Sequence, residues 1–233
     1  MPDICIVALR GLPDEAQAQR LRQDLPQAEQ HWITRLHRPQ DRLRSLLGRA
    51  LVRRLLAQRL GAPPAHIALN TGPHGKPQLS ALAGAAPVWH FNIAHSGDQV
   101  LAAIGPQPLG VDVEACPDTI DAALLQMVMG RRAADRSPDL DPRAFCTEWV
   151  QREAVLKACG LGLMITPGQL RLHAGGHGWR SVSGPPATDG LYVRLLWASS
   201  TDCAALCLPA PTPAWQLSQW DLAAWLDASE PST

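Results

Sequence analysis

Apolar and polar positions in the 233-residue chain alternate between short period-two runs and longer stretches of period 3.6. The first run, Ile4–Leu9, predicts a strand. Pro13 and Asp14–Glu15 then open a helical stretch, since proline and acids suit a helix start. The clearest helix is expected from Asp41, which can cap it. Leu43, Leu46, Leu47, Ala50 and Leu51 form one stripe along it, and Gly61 with Pro63–Pro64 stops it. Strands are predicted at Val88–Ile93, Val100–Ile104 and Leu109–Val113. The second half repeats the theme, with helices over 120–134 and 143–159 and strands over 169–173, 179–183, 191–198 and 203–208. Gly175–Gly176 is the expected hairpin turn. A last amphipathic segment, Trp215–Leu226, is expected to pack its tryptophans on the body. The Pro-rich stretches 185–186 and 209–213 read as loops. The pattern gives an α+β protein of two similar-sized halves, 1–105 and 106–233, with a seam near Gly105–Gly110. No convincing sequence repeat links the halves.

Composition narrows the class. The chain is 46% hydrophobic and 18% charged, a globular balance. Ile4–Leu9 is too short for a membrane span and has no basic residue ahead of it, so a cytoplasmic location without membrane attachment is expected. Lys+Arg 21 against Asp+Glu 21 gives zero net charge, which speaks against a general nucleic-acid binder. The six cysteines show no CxxC pair and read as reduced, mostly buried thiols. Arginine outnumbers lysine 19 to 2, the lysines being Lys76 and Lys157. A compact ammonium differs from a planar fork, so these two positions draw interest.

Four segments carry candidate chemistry. In Gly110-Val111-Asp112-Val113-Glu114, period two places Asp112 and Glu114 on one strand face. Two carboxylates so close suit a divalent cation with hard oxygen ligands, such as Mg²⁺; a solvated edge-strand face is the plain alternative. Trp149, Glu153 and Lys157 recur at i, i+4, i+8 on one helix face, though Glu153–Lys157 is also an ordinary surface pair. The helical run ends in Gly160-Leu161-Gly162-Leu163. Gly75-Lys76-Pro77 lies in a turn-rich loop with Asn70, Gly72, Pro73 and His74. His90-Phe91-Asn92-Ile93-Ala94-His95-Ser96-Gly97 is a strand entering a polar turn. Lys76, His95 and Ser96 are donors of the kind that hold phosphate, although a histidine in a turn is often only a surface residue. On a helical wheel Arg44 projects from the flank opposite Arg42, Arg49 and Arg53, where it would be partly buried and lack an anion; snorkelling is the alternative. His173-x3-His177 straddles a turn and lacks a third ligand, and Cys203-x3-Cys207 reads as small core residues.

Taken together and in order, 75–77, 91–96, 110–114, 149–157 and 160–163 resemble the 4′-phosphopantetheinyl transferases of the Sfp type. The matching patterns are GKP, F-N-(I/L)-S-H-S, G-(I/V)-D-(I/V)-E, W-x-x-K-E-(A/S)-x-x-K and G-x-GL. The resemblance covers roughly residues 41–163. Arg152 stands where the pattern has lysine, Ala94 stands for a common serine, and the lysines often found ahead of the first long helix are absent. Only Arg35, His37 and Arg38 stand near there.

The resemblance implies two pseudo-related α/β halves packed side by side, with coenzyme A in the cleft between them. It implies transfer of 4′-phosphopantetheine to a serine of an apo acyl or peptidyl carrier protein, with 3′,5′-ADP leaving. Asp112, Glu114 and Glu153 would hold Mg²⁺, while Glu153, Lys157 and Asp112 would form the catalytic set. Arg44, Gly75, Lys76, Pro77, His95, Ser96 and Lys157 would contact coenzyme A, His95 and Lys76 at its 3′-phosphate. The proton acceptor would be Glu153 or a water it holds. A monomer that binds no nucleic acid is expected. The rival classes are a non-catalytic coenzyme A or carrier-binding relative and a metal-dependent nuclease. Residues 35–59 hold eight arginines and one acid, Asp41. The Arg42–Arg49–Arg53 stripe is therefore expected to steer anionic carrier or coenzyme A.

Overall fold

In a computed structural model, the described residues are 3–72, 76–80, 88–131, 140–161, 164–212 and 214–228. The chain forms mixed α and β structure in two units. Met1–Asn70, Pro77–Pro106 and Ala214–Thr233 form the first, and Thr71–Lys76 and Gln107–Pro213 form the second. The chain leaves the first unit after Pro106. A later crossing returns the C-terminal segment to the first unit, and a six-residue stretch around Lys76 belongs to the second.

In the first unit the sheet order is β11-β1-β5-β4, from β1 (Ile4–Arg10), β4 (His90–Ser96), β5 (Gln99–Gly105) and β11 (Trp215–Asp221). β1 pairs antiparallel with β5 and parallel with β11. The segment 215–226 is therefore mostly strand: seven residues complete a ladder against β1, and only α6 (Leu222–Ala228) is helical. Trp225 is buried there, but Trp220 remains exposed. β4 starts later than its apolar pattern suggests and runs to Ser96, because its register with β5 ends in the two-residue turn Gly97–Asp98. Gly97 adopts φ 58°, open to glycine at little cost. β2 (Leu69–Thr71) and β3 (Pro77–Leu79) form a separate small ribbon.

Three helices complete this unit. α1 (Glu15–Arg22) opens with a capping box between Asp14 and Gln17. α2 is Gln27–Thr34. α3 (Pro39–Leu60) begins before Asp41, since Pro39 with its preset φ takes the first turn and no side chain caps it. It ends at Gly61 in the left-handed region. Leu46, Leu47, Ala50, Leu51, Leu55 and Leu56 of α3 are buried in a core shared with Val7, Leu9, Phe91, Val100 and Ile104.

The arginine face of α3 is not a wet stripe. The Arg53 side chain is 1% exposed, pairs with Glu29 Oε1 at 2.7 Å, and donates to the carbonyls of Pro64 and Ile67. Arg49 pairs with Glu29 at 3.4 Å and lies over the Trp32 ring. Arg54 pairs with Asp24, and Arg42 donates to the Leu36 carbonyl. Glu29 takes up both Arg49 and Arg53, so of the expected steering stripe only Arg42 lies exposed.

In the second unit the sheet order is β6-β10-β9-β8-β7, all antiparallel. Its strands are β6 (Gly110–Ala115), β7 (Arg171–Ala174), β8 (Arg180–Ser183), β9 (Tyr192–Ala198) and β10 (Asp202–Leu208). The β7–β8 hairpin forms as expected, but its connection is five residues, 175–179, with a 3-10 turn at Gly176–Gly178, rather than the Gly175–Gly176 pair alone. α4 (Ala122–Met129) is shorter than the predicted 120–134 helix, since Asp121 caps its start and Gly130 ends it at φ 78°, while 132–134 lie outside the described residues. α5 (Pro142–Cys159) has Pro142 at its first position and Asp141 capping the Ala144 amide. It packs against β6, β10 and β9, and Val150, Ala154 and Val155 are buried with Val193, Cys203 and Ala205. No helix among the described residues is long and apolar enough to cross a membrane.

Replacing Arg53 with alanine should lower the unfolding free energy by about 3–5 kcal/mol, because Glu29 loses its buried partner. Arg42→Ala, on the exposed face, should stay within about 0.5 kcal/mol of wild type. Urea denaturation of both variants checks this, and equal losses would contradict it.

Candidate functional site

The site in the second unit begins with a close approach. A Cβ on Gly110 would lie 2.1 Å from the Ala154 carbonyl and 2.3 Å from the Ala158 nitrogen. No larger residue fits, so β6 lies directly against α5. Gly110 faces α5, and period two turns Asp112 and Glu114 the same way. These carboxylates thus look at a helix rather than at solvent. Val111 and Val113, on the opposite face, are also buried.

α5 answers with Glu153 and Lys157, one turn apart. Lys157 Nζ donates to Asp112 Oδ1 at 2.5 Å, and the Asp112 side chain is 2% exposed. Burial pushes the Asp112 carboxyl up from its usual range, with the Lys157 charge opposing. Glu153 is pushed up as well, first by burial and then by the charge of Asp112, again against Lys157. One ammonium therefore serves two crowded carboxylates, with Glu114 half-buried two residues further along β6.

A divalent cation fits this arrangement. Asp112 Oδ2 is buried with no hydrogen-bond partner, a cost that a bound hard cation would remove. The three carboxylates do not bring one oxygen each within 4.8 Å of one another, so the set stands open.

Lys76 is placed differently from a plain phosphate donor. Its Nζ donates to the Lys157 carbonyl at 2.6 Å and to the Leu109 carbonyl at 3.3 Å. Burial lowers its pKa. It thus sits at the C-terminal end of α5, where a cation meets the helix dipole favourably. Gly160, at φ 68°, ends the helix beside it, and a Cβ there would touch the lysine chain at 3.5 Å. Pro77 starts β3, while Gly75, Gly162 and Leu163 lie outside the described residues.

Trp149 packs on Phe145 with centroids 5.5 Å apart. Arg152 turns away from the carboxylates. Its Nε donates to the Val128 carbonyl at 2.9 Å, and its Nη2 meets Glu148 at 3.1 Å. The lysine-to-arginine departure thus changes the α4 contact, not the carboxylate group.

In the first unit, Arg44 is brought to the end of β4. Its Nε donates to the Gly97 carbonyl at 2.6 Å, next to Ser96 and His95. Its Nη1 pairs with Asp41 at 2.9 Å, a side chain read from sequence only as a helix cap. The i, i+3 spacing of Asp41 and Arg44 was the available signal. His95 is exposed and Ser96 half-buried.

A family model described as "4′-phosphopantetheinyl transferase, N-terminal" matches residues 12–107. A 4′-phosphopantetheinyl transferase of Bacillus subtilis is 29% identical over 181 residues, covering 76% of this chain and 79% of the relative. The transferase Sfp of the same species is 28% identical over 182 residues, with the same shares, 76% and 79%. The transferase psf-1 of Bacillus pumilus is 32% identical over 130 residues, or 53% of this chain and 52% of the relative. These matches make the chain similar to the 4′-phosphopantetheinyl transferases, which are transferase enzymes.

Proposed function

We propose that this chain transfers the 4′-phosphopantetheine group of coenzyme A to a serine of an apo acyl or peptidyl carrier protein, in the cytoplasm, as a Mg²⁺-dependent monomer. Neither nucleic acid nor membrane takes part. The observation that carries the reading is the buried Asp112 carboxylate, held by Lys157, crowded by Glu153, and left with an unpartnered Oδ2. The two units correspond to pseudo-related halves: each sets one long helix, α3 or α5, against an antiparallel strand pair.

Asp112, Glu114 and Glu153 would hold Mg²⁺, which when bound neutralises the pyrophosphate and acts as Lewis acid. The protein's own side chains do the rest. Lys157 balances charge on the bridging phosphate oxygens. Lys76 fixes the carbonyl end of the turn that carries Lys157 through two of its N–H groups, with no third acceptor among the described residues, and its ammonium is a donor for a phosphate oxygen. Arg44, His95 and Ser96 serve as donors to the 3′-phosphate. The serine hydroxyl attacks the phosphorus bearing pantetheine. A new P–O bond forms, the pyrophosphate P–O bond breaks, and 3′,5′-ADP leaves. The serine proton passes to Glu153, directly or through a water.

Incubated with coenzyme A, Mg²⁺ and apo carriers from fatty-acid, polyketide and peptide synthesis, the protein should add one phosphopantetheine to at least one carrier. Intact mass reads the addition, and inactivity on the whole panel overturns the assignment. Glu153→Gln should lower kcat by about 10²–10⁴-fold. A variant within threefold of wild type would remove Glu153 from the proton path.

The raised carboxyls also fix a pH dependence. A carboxyl whose folded pKa exceeds its unfolded value stabilises the fold below the unfolded value, about 4, and that stability is lost as pH rises through the folded value. Asp112→Asn/Glu153→Gln, melted without divalent cations, should lose less stability than wild type as pH rises from about 4 to neutral. Parallel curves would show that the carboxylates are not strained by burial.

A further inference from the structure

The transfer chemistry leaves one cluster of the second unit unused. Cys116 follows β6, Cys146 lies on α5 and Cys203 lies on β10. Their sulfurs all lie within 4.8 Å of one another, and those of Cys116 and Cys203 are 3.8 Å apart. Cys146 and Cys203 are buried, while Cys116 is half-buried and gives the cluster a side open to solvent. Metal–sulfur bonds of about 2.3 Å set three sulfurs about 4 Å apart around a trigonal centre. The thiols already stand near that spacing, without the backbone movement that a new site usually requires.

The donor set favours a soft ion. No histidine or carboxylate of the described residues joins the three sulfurs. Asp202 is adjacent in sequence to Cys203, but its Oδ1 accepts from Trp197 Nε1 at 2.6 Å and its Oδ2 from Thr201 Oγ1 at 2.8 Å. Structural zinc sites take four closed ligands, whereas three thiolates without a hard fourth donor suit Cu(I). Arg143 donates to the carbonyl of Ala198, the cross-strand partner of Cys203, and so brings a cation toward the charge that a trithiolate would carry.

We propose that Cys116, Cys146 and Cys203 form a binding site for one soft d¹⁰ cation, Cu(I) foremost. Binding forms three metal–sulfur bonds and releases the three thiol protons to solvent. The ligands come from α5, from β10 and from the residue after β6, so an ion there would clamp the helix carrying Glu153 and Lys157 onto the strand carrying Asp112.

The test uses the full-length protein, kept reduced and anaerobic, titrated with Cu(I) against a coloured copper chelator. One copper per chain should leave the chelator, and the melting temperature should rise with copper. X-ray absorption of the wild-type complex should show three sulfur neighbours at about 2.3 Å. Cys116→Ser, at a half-buried position, should weaken binding by more than the about 10–100-fold that loss of a mere supporting residue costs. Cys159→Ser, outside the cluster, should leave affinity unchanged. No copper uptake, nitrogen or oxygen neighbours instead of sulfur, or wild-type affinity in a folded Cys116→Ser would each overturn the site. The absorption measurement needs no variant, so it decides even if Cys116→Ser fails to fold.

Discussion

The pair between Asp112 and Lys157 is the interaction on which the second unit's chemistry depends. A carboxylate almost fully removed from water is costly unless a cation stands beside it. Lys157 supplies that cation at 2.5 Å, on the face of α5 that also carries Glu153. The pair can form only because Gly110 lets β6 approach to the main chain of α5, and because α5 is fixed at both ends. Asp141 and Pro142 set its start. At its end, Gly160 stops it and Lys76 holds the carbonyl of Lys157. The two lysines of an arginine-rich chain therefore act together. One ammonium reaches Asp112, and the other reaches the main-chain oxygen of the residue bearing the first. A guanidinium fork would fill neither place in the same way.

Electrostatic strain remains after this pairing. Two carboxylates raised by burial, Glu153 also by the charge of Asp112, share one ammonium, and one oxygen is unsatisfied. Such a group is ready to exchange protons for a harder, doubly charged partner. Arg53 of the first unit shows the opposite balance. It is equally buried, but a carboxylate and two carbonyls take up its donors, which makes it a structural cation.

Much of this was legible in the sequence, since the motif residues sit where local periodicity places them. Asp112 and Glu114 share a strand face, Glu153 and Lys157 share a helix face, and the strands of the second unit follow their apolar runs. What periodicity could not supply were long-range partners. The wheel put Arg49 and Arg53 on a flank of α3 but could not show Glu29 of α2 reaching them. The Trp215–Asp221 strand depends on its ladder with β1, more than two hundred residues away in sequence. Nothing local distinguishes a lysine that holds phosphate from one that caps a helix end, so the carbonyl partners of Lys76 were invisible. The thiol cluster joins residues 116, 146 and 203, which have no common spacing.

The claim that Asp112, Glu153 and Lys157 form a strained anionic group awaiting a divalent cation is tested most directly by Mg²⁺ titration calorimetry. Titrations at mildly acidic pH, in two buffers of different ionisation enthalpy, count the protons exchanged. Carboxyls raised by burial should release protons as Mg²⁺ binds, so the apparent heat should depend on buffer for wild type and far less for Asp112→Asn/Glu153→Gln. Heat independent of buffer, with unchanged Mg²⁺ affinity in that variant, would contradict the account.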